Sequence, residues 1–508
     1  MTSANGKAID RRAFLAGTAA FAALGLSGMG RAAAQEFSIG QAAVAATPDG
    51  PLRWLDTGDQ KALFFKAFFE QYKKARGIDV VYDALPWAEV ATVVPLAVRN
   101  GTAHDAFVLP LGMPPAFAVS EGWVQPLDDL IPDIETWKAG FPAGTFLEGL
   151  NVFDGKTYGL TYTSNRFTSA HVLYNRKYLN DAGFDPEATP LNWDTFREAA
   201  RKVTENGAGR AYGFILGGAQ VNRWGDTVRT LAQMAGGASG DTSIATGIDF
   251  RTGEVVYASD AFVGAVELLL ALKADGSVFP GDLGINAPQA RAMMPQGVAG
   301  IILQGPWNIP QWESQNPDFD FGVGPPPAPA GQAPGHVIVG SVGSVANSMF
   351  INAKAKNPLF AADVFHYLGT EQGQIEWGNV VGPADAPVFP SAATGSKMSD
   401  RSKAALAMLQ DVVRVGPNPF ARNPRLAEVA KLYKEPTPNL AQTVQGLFSG
   451  QISGVKEQLT ALTSATNMAL DAAFKSAKDA GFEVSRDDFV FANWQPERDY
   501  LEADYKAL

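Results

Sequence analysis

Residues 298–307 read VAGIILQGPW, a short apolar run that ends in a glycine, a proline and a tryptophan. An apolar run of this length between turn-forming residues is typical of a strand that is buried on both faces of a sheet. Gly305 and Pro306 predict that the chain turns directly after this strand. Ligands of open α/β sheets bind at the carboxyl ends of strands, so we expect Trp307 to lie at a binding cleft.

Strand-like and helix-like segments alternate along most of the chain. Residues 52–55 and 78–82 are strand-like, and between them apolar residues recur at helical spacing. From about Pro424 onward the pattern is almost entirely helical. This alternation predicts an α/β fold with mostly parallel sheets flanked by helices. A chain of 508 residues exceeds what one hydrophobic core normally holds, so we expect two or three domains.

Several short motifs follow one another in the order known from one protein family. They are Asp154–Gly159 (DGKTYG), Tyr174-Asn175, Asn192-Trp193-Asp194, Gly305-Pro306-Trp307 and a helix at Phe360–Gly373. Between Arg53 and Gly481 the chain therefore resembles the bacterial extracellular solute-binding proteins of ABC importers, family 1, the maltose-binding type. The shared order of the motifs carries this resemblance, because each motif alone is short and common.

The resemblance implies a two-lobed periplasmic-binding-protein fold, in which each lobe has a mostly parallel sheet and the chain crosses between the lobes at a hinge. We assign residues 35–165 and 325–375 to the N-terminal lobe. Residues 166–324 and 376–508 then form the C-terminal lobe, which ends in a helical segment. The lobes would hold a solute between them, and closure would present it to the permease subunits of an ABC importer. We expect a monomer without cofactor, metal or catalytic residues.

Sugar rings have apolar faces and polar edges, so a sugar site needs aromatic rings beside amide, hydroxyl and carboxylate groups. By this criterion and by the resemblance, the candidate ligand-binding residues are Trp307, Trp224, Tyr162, Asn165, Arg166, Asp56 and Asp226. Trp307 is the strongest candidate, because its Gly-Pro-Trp setting matches a family position that stacks on the ligand. Most of these residues have structural alternatives. They are packing under the lobe for Trp307, the core for Trp224, a surface ion pair for Arg166, a turn with Asx hydrogen bonds for Asp56, and a helix cap for Asp226.

The N-terminus has the pattern of an export signal. Arg11 and Arg12 precede a long uncharged run, and small residues follow from Ala32 to Ala34. The paired arginines resemble the twin-arginine motif, and the small residues suit a signal peptidase. We expect residues 1–34 to be a cleaved signal peptide and the protein to be periplasmic; the alternative is an uncleaved membrane anchor.

Composition excludes several classes of function. The chain contains no cysteine, which excludes disulfides, thiolate metal sites and cysteine nucleophiles. Its net charge of −11 disfavours binding to nucleic acid or anionic lipid. The four histidines are widely spaced, and no phosphate-binding loop occurs, so the sequence predicts no catalytic or cofactor site.

Two alternatives to a sugar-binding protein stay open. The same fold could bind a polyamine or another non-sugar solute, which an acidic cleft would favour. An exported carbohydrate-active enzyme would need two carboxylates that converge on a glycosidic bond, and those need not be close in sequence.

Overall fold

The computed structural model describes residues 35–58, 60–111, 113–242, 244–340 and 348–508. The predicted signal peptide, with Arg11, Arg12, Ala32 and Ala34, lies outside these residues and stays a prediction. Within the described ranges, no helix is both long and apolar enough to cross a membrane.

The strands are mostly short and fall into two larger sheets and several two-stranded ones. In chain order they are β1 Leu52–Asp56, β2 Val80–Ala84, β3 Ala106–Phe107, β4 Val152–Phe153, β5 Lys156–Thr157, β6 Gly159–Thr161, β7 His171–Asn175, β8 Tyr212–Ile215, β9 Ile248–Asp249, β10 Glu254–Val255, β11 Ala299–Gln304, β12 Phe321–Gly324, β13 Val337–Val339, β14 Ser348–Ile351 and β15 Val413–Val415.

Helices cover both larger sheets and make up most of the C-terminal part of the chain. They are α1 Gln60–Arg76, α2 Trp87–Arg99, α3 Pro115–Ser120, α4 Ile134–Ala139, α5 Arg176–Asp181, α6 Trp193–Gly207, α7 Asn222–Met234, α8 Asp260–Ala274, α9 Ala287–Met293, α10 Asn308–Gln315, α11 Pro358–Leu368, α12 Glu371–Val381, α13 Pro390–Gly395, α14 Asp400–Val412, α15 Pro419–Arg422, α16 Leu426–Leu432, α17 Leu440–Ser449, α18 Val455–Asp479 and α19 Glu502–Lys506.

Each lobe is built on one of the two larger sheets. The N-terminal sheet has the order β2-β1-β3-β14-β6, and the C-terminal sheet has the order β12-β7-β11-β8. β14 is the one strand antiparallel to the others in the first sheet, and β7 is the one antiparallel strand in the second. β7 is the first strand of its sheet after the chain passes into the C-terminal lobe. β14 is the first strand of its sheet after the chain returns to the N-terminal lobe. The α/β, two-lobed fold is confirmed. In each larger sheet all strands but one run in the same direction, and that one pairs antiparallel with both of its neighbours.

β11 is buried over its whole length, as its apolar sequence predicts. Ile301 and Leu303 pack in the core on one side of the sheet, and Ile302 packs in a smaller core on the other side. Burial on both sides explains why this strand is a continuous apolar run rather than an alternating one.

Some residues near the predicted lobe boundaries pack in the core of the other lobe. Trp377, Val381 and Phe389 pack in the core of the N-terminal lobe, which therefore extends beyond the predicted limit at residue 375. Ile338 packs in the core of the C-terminal lobe, although residues 325–375 were assigned to the other lobe. α12 packs against α1, and Val415 also lies in the core of the N-terminal lobe, so the chain contributes to that core well beyond residue 375.

The C-terminal tail, residues 484–508, completes the C-terminal lobe. Phe489, Phe491 and Trp494 are buried in its core. Tyr500 is also buried, and its backbone N–H donates to the carbonyl of Val415 at 2.8 Å. The tail therefore ends against β15, beside the first crossover (residues 162–170, between β6 and β7).

Candidate functional site

A cavity of about 500 Å³ lies where the crossovers meet the C-terminal lobe. Its walls come from the first crossover, from one face of α7, from the end of β11 with the turn after it, and from β13. The described residues that line it are Asn165, Phe167, Thr168, Ser169, Gln220, Asn222, Arg223, Asp226, Arg229, Thr230, Gln233, Asp241, Ala287, Arg291, Gln304, Trp307, Val337, Ile338, Val339 and Gly340.

Helix α7 separates the cavity from the core because its two faces differ. Trp224, Val228 and Leu231 are fully buried and pack in the C-terminal core. A polar set at positions 222, 223, 226, 229, 230 and 233 faces the cavity instead. Spacings of three and four residues place such a set on one side of a helix.

Trp307 occupies the turn after β11 and is half-buried at the cavity. Its indole ring lies over Gly305: a Cβ placed on Gly305 would be 2.1 Å from Cζ3 of the ring. Only a glycine leaves room for the ring in this position. The turn thus fixes an aromatic side chain at the cavity before any ligand arrives.

Gln304 and Asn165 bring amide groups to the cavity. Gln304 is fully buried; its Nε2 donates to the carbonyl of Ala287 at 3.1 Å, and its Oε1 has no hydrogen-bond partner among the described residues. Asn165 is also buried, and its Nδ2 donates to the carbonyl of Gly340. A buried acceptor without a partner is costly, so the free Oε1 of Gln304 favours a hydroxyl donor from a ligand.

The acidic side chains of the lining share one partner. Nη2 of Arg229 lies 2.5 Å from Oδ1 of Asp226, and Nη1 lies 3.0 Å from Oδ2 of Asp241. Asp226 also accepts a hydrogen bond from Nδ2 of Asn222 at 3.4 Å. The two carboxylates are therefore held by ion pairs on the wall of the cavity.

The sequence matches the family model described as bacterial extracellular solute-binding protein over residues 57–375, well over half of the chain. The chain belongs to the bacterial extracellular solute-binding proteins.

Solved structures of proteins of this kind share the fold. A solute-binding protein of an ABC transporter from Thermotoga lettingae, bound with α-D-tagatose, superposes with a TM-score of 0.59 at 18% identity, covering 83% of this chain and 100% of that one. The maltotriose-binding protein of Thermus thermophilus, bound with maltotriose, has a TM-score of 0.58 at 19% identity, covering 82% and 100%.

Among curated sequences, a binding protein of Brucella abortus is 27% identical over 295 residues. The match covers 57% of this chain and 66% of the relative, so it spans just under two thirds of that protein's length.

Of the predicted ligand-binding residues of this solute-binding protein, Trp307, Asn165 and Asp226 line the cavity. Trp224 does not, and it takes the structural alternative of a place in the core. It is fully buried, its Nε1 donates to the carbonyl of Gly218 at 2.9 Å, and its ring centroid lies 4.4 Å from that of Phe448. It faces the core because it lies on the apolar side of α7.

Asp56 and Tyr162 lie in the N-terminal lobe, away from the lining. Both are fully buried, and the hydroxyl of Tyr162 donates to Oδ1 of Asp56 at 3.5 Å. Nζ of Lys61 lies 5.6 Å from the ring centroid of Tyr162 and 3.5 Å from Oδ1 of Asp385. Burial raises the pKa of Asp56, while the charge of Lys61 opposes that shift. In this conformation the two residues belong to a buried polar cluster.

Arg166 forms an ion pair, which is the structural alternative given for it in the sequence analysis. Its Nη1 donates to the carbonyl of Val413 at 2.8 Å, and its Nη2 binds the carboxylate of Asp499. The side chain is 19% exposed and is held by the C-terminal tail. It is not part of the cavity lining.

Sequence reasoning missed Arg223, Arg229, Arg291 and Gln304, which all line the cavity. A signal for two of them was present, because Arg223 and Arg229 share the polar helical spacing of α7 with Asp226. Gln304 is the last residue of an otherwise apolar strand. A polar residue at the end of such a strand indicates that the strand ends at a polar site.

Proposed function

We propose that this protein is the periplasmic binding component of an ABC importer, and that it captures a mono- or oligosaccharide and delivers it to a membrane permease. One observation carries this proposal: the indole of Trp307 lines the same cavity as Oε1 of Gln304, which has no hydrogen-bond partner in the described part of the chain. An aromatic ring suits the apolar face of a sugar, and a free amide oxygen suits a hydroxyl on its edge.

The location of the cavity supports capture by closure. Its walls include residues of the first crossover and of β13, the segments that lead from one lobe to the other. A change in backbone angles at such segments moves whole lobes. A solute that contacts both lobes would stabilise the closed form, and the permease would recognise that form.

The size of the cavity agrees with a small carbohydrate. Small-molecule sites are typically about 300–1,000 Å³, and this cavity measures about 500 Å³. The similar proteins of Thermotoga lettingae and Thermus thermophilus are bound with α-D-tagatose and maltotriose respectively.

The described lining argues against the two alternatives. A polyamine would meet the guanidinium groups of Arg223, Arg229 and Arg291. A glycosidase needs one free carboxylate and one protonated carboxyl group, whereas Asp226 and Asp241 both pair with Arg229.

A thermal-shift screen of the exported protein tests the proposal. A solute at about 100 times its dissociation constant adds about 2.7 kcal/mol of stability. We expect carbohydrates to raise the melting temperature, spermidine and putrescine to leave it unchanged, and the bound carbohydrate to be recovered intact. Stabilisation by polyamines alone, or conversion of the carbohydrate, would overturn the proposal.

A further inference from the structure

Arg223 is a cation at the cavity that forms no ion pair with the described residues. It is 4% exposed, and its Nη2 donates to the backbone carbonyl of Ser169 at 2.8 Å and to that of Leu303. Its Nε is shielded from solvent and has no hydrogen-bond partner in the described part of the chain. The contacts of this guanidinium are therefore with neutral groups, and its charge is not compensated by a direct neighbour.

The buried charge of Arg223 is unfavourable in the protein without a ligand. Arginine is rarely fully buried unless it is paired, because removing an ion from water is costly. Burial accordingly lowers the pKa of Arg223, and the more distant Asp226 only partly opposes that shift. A negatively charged group in the cavity would compensate the buried charge and use the remaining donors of the guanidinium.

The surroundings of Arg223 favour an anion over a cation. Asp226 and Asp241, the acidic residues of the described lining, are both engaged by Arg229. Helix α7 begins at the cavity with Asn222, and no side chain caps its N-terminus. The N-terminal end of a helix carries a partial positive charge that adds to that of Arg223. The chain as a whole has a net charge of −11, so this local excess of positive charge runs against its composition.

We propose that the solute is a sugar acid, a carbohydrate with one carboxylate group, and that Arg223 binds this carboxylate. The inference rests on the proposed function and names the chemical class of its ligand. One uncompensated guanidinium matches one carboxylate better than a doubly charged phosphate. Nη2 already donates to two backbone carbonyls, so Nη1 is the nitrogen that would donate to the carboxylate. Trp307 and Gln304 remain available for the ring and a hydroxyl.

Matched ligands test the proposal on the unmodified protein. The probes are D-glucuronate, D-galacturonate and D-gluconate, each compared by calorimetric titration with its neutral parent sugar. The methyl esters of the two uronates serve as probes of equal size without the charge. We expect one acid to bind at least about tenfold more tightly than its neutral parent, and an ester to lose most of that advantage.

Two variants of Arg223 locate the effect. Arg223→Gln should remove the preference for the acid over the neutral sugar. Arg223→Lys should retain part of it, because lysine keeps the charge but has only one nitrogen to serve both the backbone carbonyls and the ligand. Arg210→Gln, at an exposed arginine outside the cavity lining, is the matched control and should leave both affinities unchanged.

The outcomes separate this inference from the proposed function. Equal binding of acids and neutral sugars would overturn the role of Arg223 and leave sugar binding intact. A preference for sugar phosphates over uronates would overturn the carboxylate class. If no carbohydrate of any charge binds, the proposed function fails, and this inference fails with it.

Discussion

Arg166 and Asp499 form an ion pair that ties the first crossover to the C-terminal tail. The carboxylate of Asp499 also accepts a hydrogen bond from the backbone N–H of Val415 at 2.9 Å. One side chain of the tail thus holds both a segment that leads between the lobes and β15 beside it. The tail is part of the structure that defines the hinge.

Asp499→Ala should destabilise the protein, because it removes the carboxylate that pairs with the partly buried Arg166 and accepts from the N–H of Val415. We expect a loss of about 1–3 kcal/mol in the free energy of unfolding, measured by urea denaturation. Asp181→Ala, which breaks the exposed ion pair with Lys177, is the control. It should change the free energy of unfolding by less than about 0.5 kcal/mol. Equal effects of the two substitutions would show that the tail does not stabilise the crossover.

Gly305→Ala should displace the indole of Trp307. The new Cβ would lie 2.1 Å from Cζ3 and 2.3 Å from Cη2 of the ring, so the ring must move. We expect solute affinity to fall about tenfold in a calorimetric titration. Gly40→Ala, at a site where a Cβ meets open space, should have no effect. Unchanged affinity in Gly305→Ala would mean that the position of the ring is not used in binding.

His171 should make the protein less stable in acid. Burial lowers its pKa to about 4 from an ordinary value of 6.5, so the unfolded chain binds a proton more readily than the folded one between these values. The stability that His171 contributes is fully present above pH 6.5 and is lost as the pH falls toward 4, by up to about 3 kcal/mol. Urea denaturation of wild type and His171→Val across this range should show a shallower pH dependence in the variant; parallel curves would contradict the assignment.

Replacing Arg11 and Arg12 by lysine should leave the full-length precursor in the cytoplasm. The twin-arginine pathway requires the paired arginines, whereas the general secretory route accepts lysine equally well. Arg31→Lys, outside the pair, is the control and should be exported normally. Cell fractionation with N-terminal sequencing of the exported form decides between the routes, with cleavage after Ala34 expected. Normal export of the double variant would indicate the general route.

The sequence predicted the features that local pattern determines. The buried strand at residues 298–303, the turn after it and the position of Trp307 at a cavity all follow from short-range residue order. The spacing of polar residues along α7 was also visible in the sequence. It indicates a polar face that includes Arg223 and an apolar face that includes Trp224.

Contacts between segments that are far apart in the chain could not be predicted from the sequence. Arg223 donates to the carbonyls of Ser169 and Leu303, which are 54 and 80 residues away. That it has no carboxylate partner among the described residues could therefore not be inferred from its neighbours in the chain. The pair of Arg166 with Asp499 joins residues 333 positions apart. The packing of α12 against α1 is another contact between segments that are far apart in the chain.

The most direct test of solute binding at this cavity compares two tryptophans that lie close together in the chain. Trp307 is half-buried at the cavity, whereas Trp312 is 1% exposed in the core behind it. For Trp307→Ala we predict an affinity about tenfold weaker or worse with little change in melting temperature. For Trp312→Ala we predict a loss of about 3–5 kcal/mol in stability. If Trp307→Ala binds the solute as tightly as wild type and melts at the same temperature, the cavity is not the binding site.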